Sequence, residues 1–118
     1  MNKIFFILLI MFLALLNTNN VFAQSNTKTD TISVNGNCGQ CKERIEEAAY
    51  IKGVKSAVWD KQTKVLTVIY HSNKTNVDKI SHSIAKAGHD NTLHNSTDKD
   101  YKKIPECCAY RSGSCDHD

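Results

Sequence analysis

The amino-acid sequence predicts an α+β sandwich, in which an antiparallel four-stranded sheet carries two helices on one face. Three observations predict it. Short stretches rich in β-branched and aromatic residues alternate with two stretches of helical period. A glycine closes each helical stretch, at Gly53 and Gly88. The order strand, helix, strand, strand, helix, strand is complete between Thr31 and His94.

The N-terminal stretch stands apart from that order. MNK supplies one positive charge, Ile4 to Leu16 is an unbroken apolar run, and a polar NTNN stretch leads to Val21-Phe22-Ala23. A short apolar core followed by small residues describes a secretory signal peptide over residues 1–23, cleaved after Ala23. The run is shorter than the about 20 apolar residues that a membrane span needs. The competing reading is an uncleaved N-terminal anchor. No cysteine follows Ala23, so a lipid anchor is not expected. The expected destination is the periplasm, with no stable membrane insertion after cleavage. Of 15 Lys and Arg, only Lys3 lies in this leader, against 12 Asp and Glu in the rest of the chain. The remaining charge is small and without basic runs, which gives no case for nucleic-acid binding.

The other elements follow in order. Residues 24–30 are polar and read as a flexible leader. Thr31-Ile32-Ser33-Val34 alternates as a short strand, and Asn35-Gly36-Asn37 is turn-like. From Gln40 the pattern is helical, with Cys41, Ile45, Ala48 and Ala49 on one face and Glu43, Glu46 and Glu47 mostly away from it. Gly53 is placed as the left-handed residue that ends this helix. Val54 to Trp59 reads as a second strand, residues 60–63 as a turn, and KVLTVIY, ending at Tyr70, as the clearest strand of the chain. A second helix is expected with Thr75 as its N-cap, an apolar stripe at Val77, Ile80, Ile84 and Ala87, and Gly88 as its end. Asn91 to His94 completes the sheet as a short fourth strand. The whole is a ferredoxin-like βαββαβ sandwich over residues 31–95. Beyond it the periodicity is lost, and residues 96–118 read as an irregular Cys-rich tail.

All five cysteines, at 38, 41, 107, 108 and 115, lie in the part expected to be exported. An oxidising compartment turns free thiol pairs into disulfides unless something occupies them, and an odd count leaves one thiol free, metal-bound or intermolecular. Cys38 falls in the loop and Cys41 in the first helical turn, where unpaired N–H groups and the helix dipole favour thiolate. Two thiolates at that spacing can close on one soft cation. Sulfur selects Cu(I), and by the same logic Hg(II), over Mg, Ca or Mn, whereas Zn(II) needs two further ligands. A solvent-facing pair with few ligands suits an ion that is passed on by ligand exchange. That reading requires both sulfurs to be deprotonated by the helix start and accessible enough to release the ion.

Two other uses of the pair remain open. A thiol–disulfide oxidoreductase also begins a helix with CxxC. Such proteins have an aromatic residue before the pair, a proline within it and a cis-proline facing it. Here Asn37 precedes Cys38, Gly39-Gln40 lies between, and the single proline is Pro105. A Cys38–Cys41 disulfide could instead be the resting state of the metal-free form. His89, after the second helix, is either a third ligand, a hydrogen-bond donor to a thiolate, or an exposed loop residue. Cys107, Cys108, Cys115 and His117 offer a second soft-metal site, a disulfide from Cys107 or Cys108 to Cys115, or a tail that folds back to share the ion with Cys38 and Cys41. His71, His82 and His94 read as surface residues, Asp116 and Asp118 as solvated charges, and Trp59 and Tyr70 as sheet packing.

Cys38-Gly39-Gln40-Cys41, Ile45-Glu46, Gly53-Val54, the VLTVIY strand, Ile80, Ile84 and Ala87-Gly88 together resemble the heavy-metal-associated domain family of copper chaperones, metal-ATPase N-terminal domains and periplasmic mercury-binding proteins. The resemblance covers roughly Thr31 to His94. It implies a monomeric, non-enzymatic metal carrier whose ligands are Cys38 and Cys41 and whose partner is a membrane metal transporter or a metal-ATPase. Two positions depart from the family pattern. Asn35-Gly36-Asn37 stands where Gly-Met-Thr is frequent, and His89 where an aromatic residue or lysine is frequent. The Cys107-Cys108 segment lies outside the pattern.

Overall fold

The computed structural model of the chain describes residues 2–15 and 26–112. The apolar N-terminal run forms helix α1 (Asn2–Ala14), none of whose residues is buried. No helix among the described residues is long and apolar enough to cross a membrane. The remainder of the expected signal peptide, including its cleavage point after Ala23, lies outside the described residues.

Strand β1 (Thr27–Ser33) begins four residues earlier than its sequence pattern suggests, so Thr27 to Asp30, expected to be flexible leader, is sheet. It pairs antiparallel with β3 (Val65–His71), from Thr27 opposite His71 to Ser33 opposite Val65. Strand β2 (Val54–Trp59) pairs antiparallel with the other edge of β3, with a register shift between Val54 and Ser56. The order is therefore β1-β3-β2. β1 is an edge strand in which only Ile32 is buried, so its polar residues carry little periodic signal. The Tyr70 hydroxyl donates to Asp30 at 2.5 Å and ties this polar half to the central strand. In β3, Leu66, Val68 and Tyr70 alternate into the core, as half-buried sheet requires.

The fourth strand does not form. Among the described residues the sheet has three strands, and Asn91 contributes one isolated bridge to Val34. The Asn91 side chain explains this. Its Oδ1 accepts from the N–H groups of Leu93 and His94, while its own N–H donates to the His94 carbonyl. A side-chain-stabilised turn thus takes the backbone groups that a ladder would need.

Both helices pack with the inner residues of the sheet in one hydrophobic core. Helix α2 (Gly39–Ala49) buries Cys41, Ile45 and Ala49, as its period predicts. It stops at Ala49 with Tyr50 as C-cap, so Gly53 (φ +97) serves the turn into β2 rather than the helix end. Helix α3 (Val77–Lys86) is capped by Asn76, not Thr75: the Asn76 side chain accepts from the Lys79 N–H at 2.9 Å. Its C-terminus has the paired bonds of a Schellman motif, from Gly88 N–H to Ala85 O and from His89 N–H to Ile84 O, with Gly88 at φ +108.

Residues 96–112 carry short regular elements of their own, where an irregular tail was expected. They form helix α4 (Asp98–Tyr101) and a 3-10 turn (Glu106–Cys108). Ile104 and Cys108 join the core. Gly88 makes room for this packing, since a Cβ there would stand 2.5 Å from Ile104 Cγ2 and 2.8 Å from the Asp100 carbonyl.

Candidate metal centre

Cys38 is the N-cap residue of α2, in extended conformation (φ −145, ψ 174), and Cys41 lies in the first turn. The two sulfurs are 3.5 Å apart. The loop before them is held from several sides. Asn35 N–H donates to the Asp90 carbonyl, His89 Nδ1 lies 2.8 Å from the Asn35 carbonyl, and Lys64 Nζ donates to the Gly36 carbonyl. Beneath the loop, Trp59 Nε1 donates to the Val34 carbonyl at 3.1 Å. Gly36 allows close approach to the site: a Cβ there would meet Cys41 Cβ at 3.0 Å and the ring of Trp59 at 3.1 Å. Trp59 and Tyr70 are core residues, as expected.

A third sulfur completes the cluster. Cys108 Sγ lies 3.1 Å from Cys38 Sγ, and the three sulfurs of Cys38, Cys41 and Cys108 lie within 4.8 Å of one another. Cys107 sits beside them, 4.0 Å from Cys108 Sγ, and donates to Gln40 Oε1 at 2.9 Å. Cys38, Cys41 and Cys108 are free thiols. The tail therefore folds back onto the helix start. Cys115 and His117, the other tail candidates, lie outside the described residues.

The expectation of a solvent-facing pair is overturned, and with it the direct access that release by ligand exchange requires, unless the segment over the pair moves aside. Cys38 is 4 % exposed and Cys41 fully buried, with Cys108, itself fully buried, against them. The electrostatics still single out Cys38. Burial raises its thiol pKa, but the Cys108 thiol and the backbone N–H groups of Cys41 and Gln40 outweigh burial and bring it from 9.0 to about 7. Burial raises the pKa of Cys41, and raises that of Cys108 further, with Cys41 and Cys38 adding to the latter. The arrangement thus favours the thiolate at Cys38 over Cys41 and Cys108.

His89 is neither an exposed loop residue nor a neighbour of the sulfurs. It is fully buried and not part of the three-sulfur group. The Schellman turn aims its ring inward, where Nδ1 holds the Asn35 carbonyl and Tyr110 stacks on it at 5.6 Å. Burial lowers its pKa, so the ring is neutral and positions the loop. Of the other histidines, His82 is exposed, and His94 pairs with Asp78 at 2.8 Å.

Sequence reasoning missed the residues that dock the tail. The Tyr110 hydroxyl donates to the Gly88 carbonyl at 2.7 Å and accepts from the Asp90 N–H at 2.8 Å. Arg111 binds both oxygens of Asp90, at 2.9 and 2.7 Å, donates to the Ser96 carbonyl and covers the ring of Tyr101 at 4.3 Å. The one sequence signal was a Tyr-Arg pair just after Cys107-Cys108 in an otherwise polar segment.

The donor set fits a soft ion. A metal–thiolate bond of about 2.3 Å sets sulfurs about 4 Å apart around a three-coordinate ion, so this cluster needs only sub-ångström spreading. The all-sulfur set excludes the hard cations Mg and Ca.

A model of the heavy-metal-associated domain matches residues 31–90. Three solved structures are each similar to more than half of this chain. A CopZ metallochaperone is 30% identical, with 55% of this chain and 100% of that chain covered and a TM-score of 0.53. An oxidized MerP from Ralstonia metallidurans is 29% identical, with 56% and 94% covered and a TM-score of 0.53. A copper form of CopA from Bacillus subtilis is 29% identical, with 59% and 95% covered and a TM-score of 0.50. No curated protein matches the chain.

Proposed function

The chain belongs to the heavy-metal-associated domain family, and from that premise we propose that it is an exported carrier of Cu(I), held by Cys38 and Cys41 and passed on by ligand exchange. The observation that carries this reading is the sulfur pair 3.5 Å apart at the start of α2, with the Cys38 pKa brought down to about 7. The ion is cargo. Soft sulfur donors favour Cu(I), and neither sulfur changes oxidation state when the ion leaves. The likeness to a protein named a metallochaperone supports carriage rather than catalysis. Export rests on the signal-peptide pattern of residues 1–23. The recipient is a membrane metal transporter or a metal-ATPase presenting thiolates of its own.

Hg(II) is the second reading, supported by the likeness to MerP and by the same sulfur chemistry. Zn(II) is less suited, because three sulfurs leave its tetrahedron incomplete.

The test is titration of the reduced protein with Cu(I) and with Hg(II) against a competing chelator, beside a Cys38→Ser/Cys41→Ser double variant. The expected outcome is one tightly held ion in the parent and none in the variant. Equal binding by both would move the site to the tail. Catalytic turnover in a disulfide-exchange assay would replace the carrier by an oxidoreductase.

A further inference from the structure

Nothing in the domain pattern accounts for the third sulfur, or for how a carrier releases an ion from beneath a cover. We infer that Cys108 is the third ligand, and that the segment from Ile104 to Arg111 is a docked cap which closes the site and withdraws when the ion is handed on. This inference rests on the carrier reading and adds to it the coordination number and the route of exchange.

Two independent sets of observations carry it. The first is the cluster itself. Cys108 comes from 70 positions along the chain to lie 3.1 Å from Cys38 Sγ, nearer than Cys41 Sγ at 3.5 Å. It is fully buried, and both sulfurs of the carrier pair lie within 4.8 Å of its own. A buried polarisable sulfur facing a thiolate, with a second sulfur alongside, is a three-sulfur pocket before any ion arrives. The second is how the cap is attached. Its anchors are Ile104 against Gly88, the Tyr110 hydroxyl between Gly88 O and Asp90 N–H, and Arg111 on the Asp90 carboxylate. The polar anchors lie at the edge of the fold: the Arg111 side chain is 31 % exposed and that of Asp90 16 %. Water competes for polar contacts at such an edge, which limits what each contributes. A segment held that way can open without unfolding the sandwich.

The exchange step balances without a redox partner. An incoming thiolate forms a bond to the ion as the Cys108–metal bond breaks. The freed Cys108 sulfur takes a proton from solvent and the cap lifts. The recipient's second thiolate then displaces Cys41 or Cys38. The metal keeps its charge throughout.

The experiment is X-ray absorption spectroscopy of the reduced, Cu(I)-loaded full chain, with Cys108→Ser, Cys107→Ser and Cys115→Ser variants. The parent and the Cys107→Ser and Cys115→Ser variants should show three sulfurs around copper, and Cys108→Ser two, with one ion still bound per chain. Two sulfurs in the parent, three in Cys108→Ser, or a loss in either of the other two variants would overturn the assignment. Loss of copper from the Cys38→Ser/Cys41→Ser variant, in the same series, reports on the carrier reading separately. The cap is tested by an Arg111→Gln variant, whose copper should pass to a dithiol chelator several-fold faster at unchanged stoichiometry. Equal transfer rates would remove the cap from the mechanism.

Discussion

The start of α2 and the docked tail bring sulfur to the same point by different means. Cys38 and Cys41 are placed by the backbone: the N-cap and first turn of a helix whose Ile45 and Ala49 are locked into the core. Cys108 is placed by side chains, through a short 3-10 turn between Ile104 and the Tyr110–Arg111 anchors. The first arrangement cannot shift without disturbing the sheet. The second can be released by breaking a few polar contacts and drawing Ile104 and Cys108 out of the core's edge. Placing two ligands on a rigid element and one on a removable element separates retention of an ion from its release.

Three measurements sharpen or break that contrast. The largest effect is expected from Ile45→Ala, which empties a fully buried site under the cysteine loop and should lower global stability by about 3 kcal/mol in urea denaturation. Ile104→Ala, at an apolar anchor of the tail, should cost less. It should speed hydrogen exchange in residues 104–112 while sparing α2. Equal losses, with exchange rising throughout, would mean that the tail and sandwich unfold as one unit.

A smaller effect belongs to Tyr110→Phe. It keeps the ring against His89 but strips the Asp90 N–H and Gly88 O of their partner, at a cost of about 1–2 kcal/mol. The expected signature is local opening of the tail by hydrogen exchange with an unchanged fold by circular dichroism. An unaltered exchange pattern would show that the hydroxyl does not hold the tail.

The smallest is a pH effect at the junction of the two regions. Burial lowers the His89 pKa below 6.5, so the unfolded chain takes up this proton more readily than the folded one. The stability that depends on neutral His89 is therefore fully present above about 6.5 and is lost as the pH falls toward the folded value. Thermal melts between pH 7 and 5 should show this slope in the parent and less of it in His89→Gln. Parallel slopes would assign the effect to other groups.

How much of this was legible follows from where each signal resides. Helix α2, the central strand and the Gly88 helix end could be read because their residues repeat a face or need a positive φ, both local properties. The early start of β1 was hidden because an edge strand with one buried residue has no alternation to show. The fourth strand was not excluded by the sequence because the turn that replaces it depends on how the Asn91 side chain bonds to the backbone. The place of His89 was hidden because its burial depends on Asn35 and Tyr110, which are distant in sequence.

The chain's sequence by itself determined the family, the sulfur pair and the helix that positions it, since CxxC before a periodic apolar face is a local pattern with a local consequence. Only the tertiary structure decided that the pair is buried, that Cys108 rather than His89 stands beside it, and that Tyr110 and Arg111 hold the tail in place. Those contacts join residues up to 70 positions apart. Their energy exists only once the helix end at Gly88 and the turn at Asp90 have formed the surface on which the tail docks.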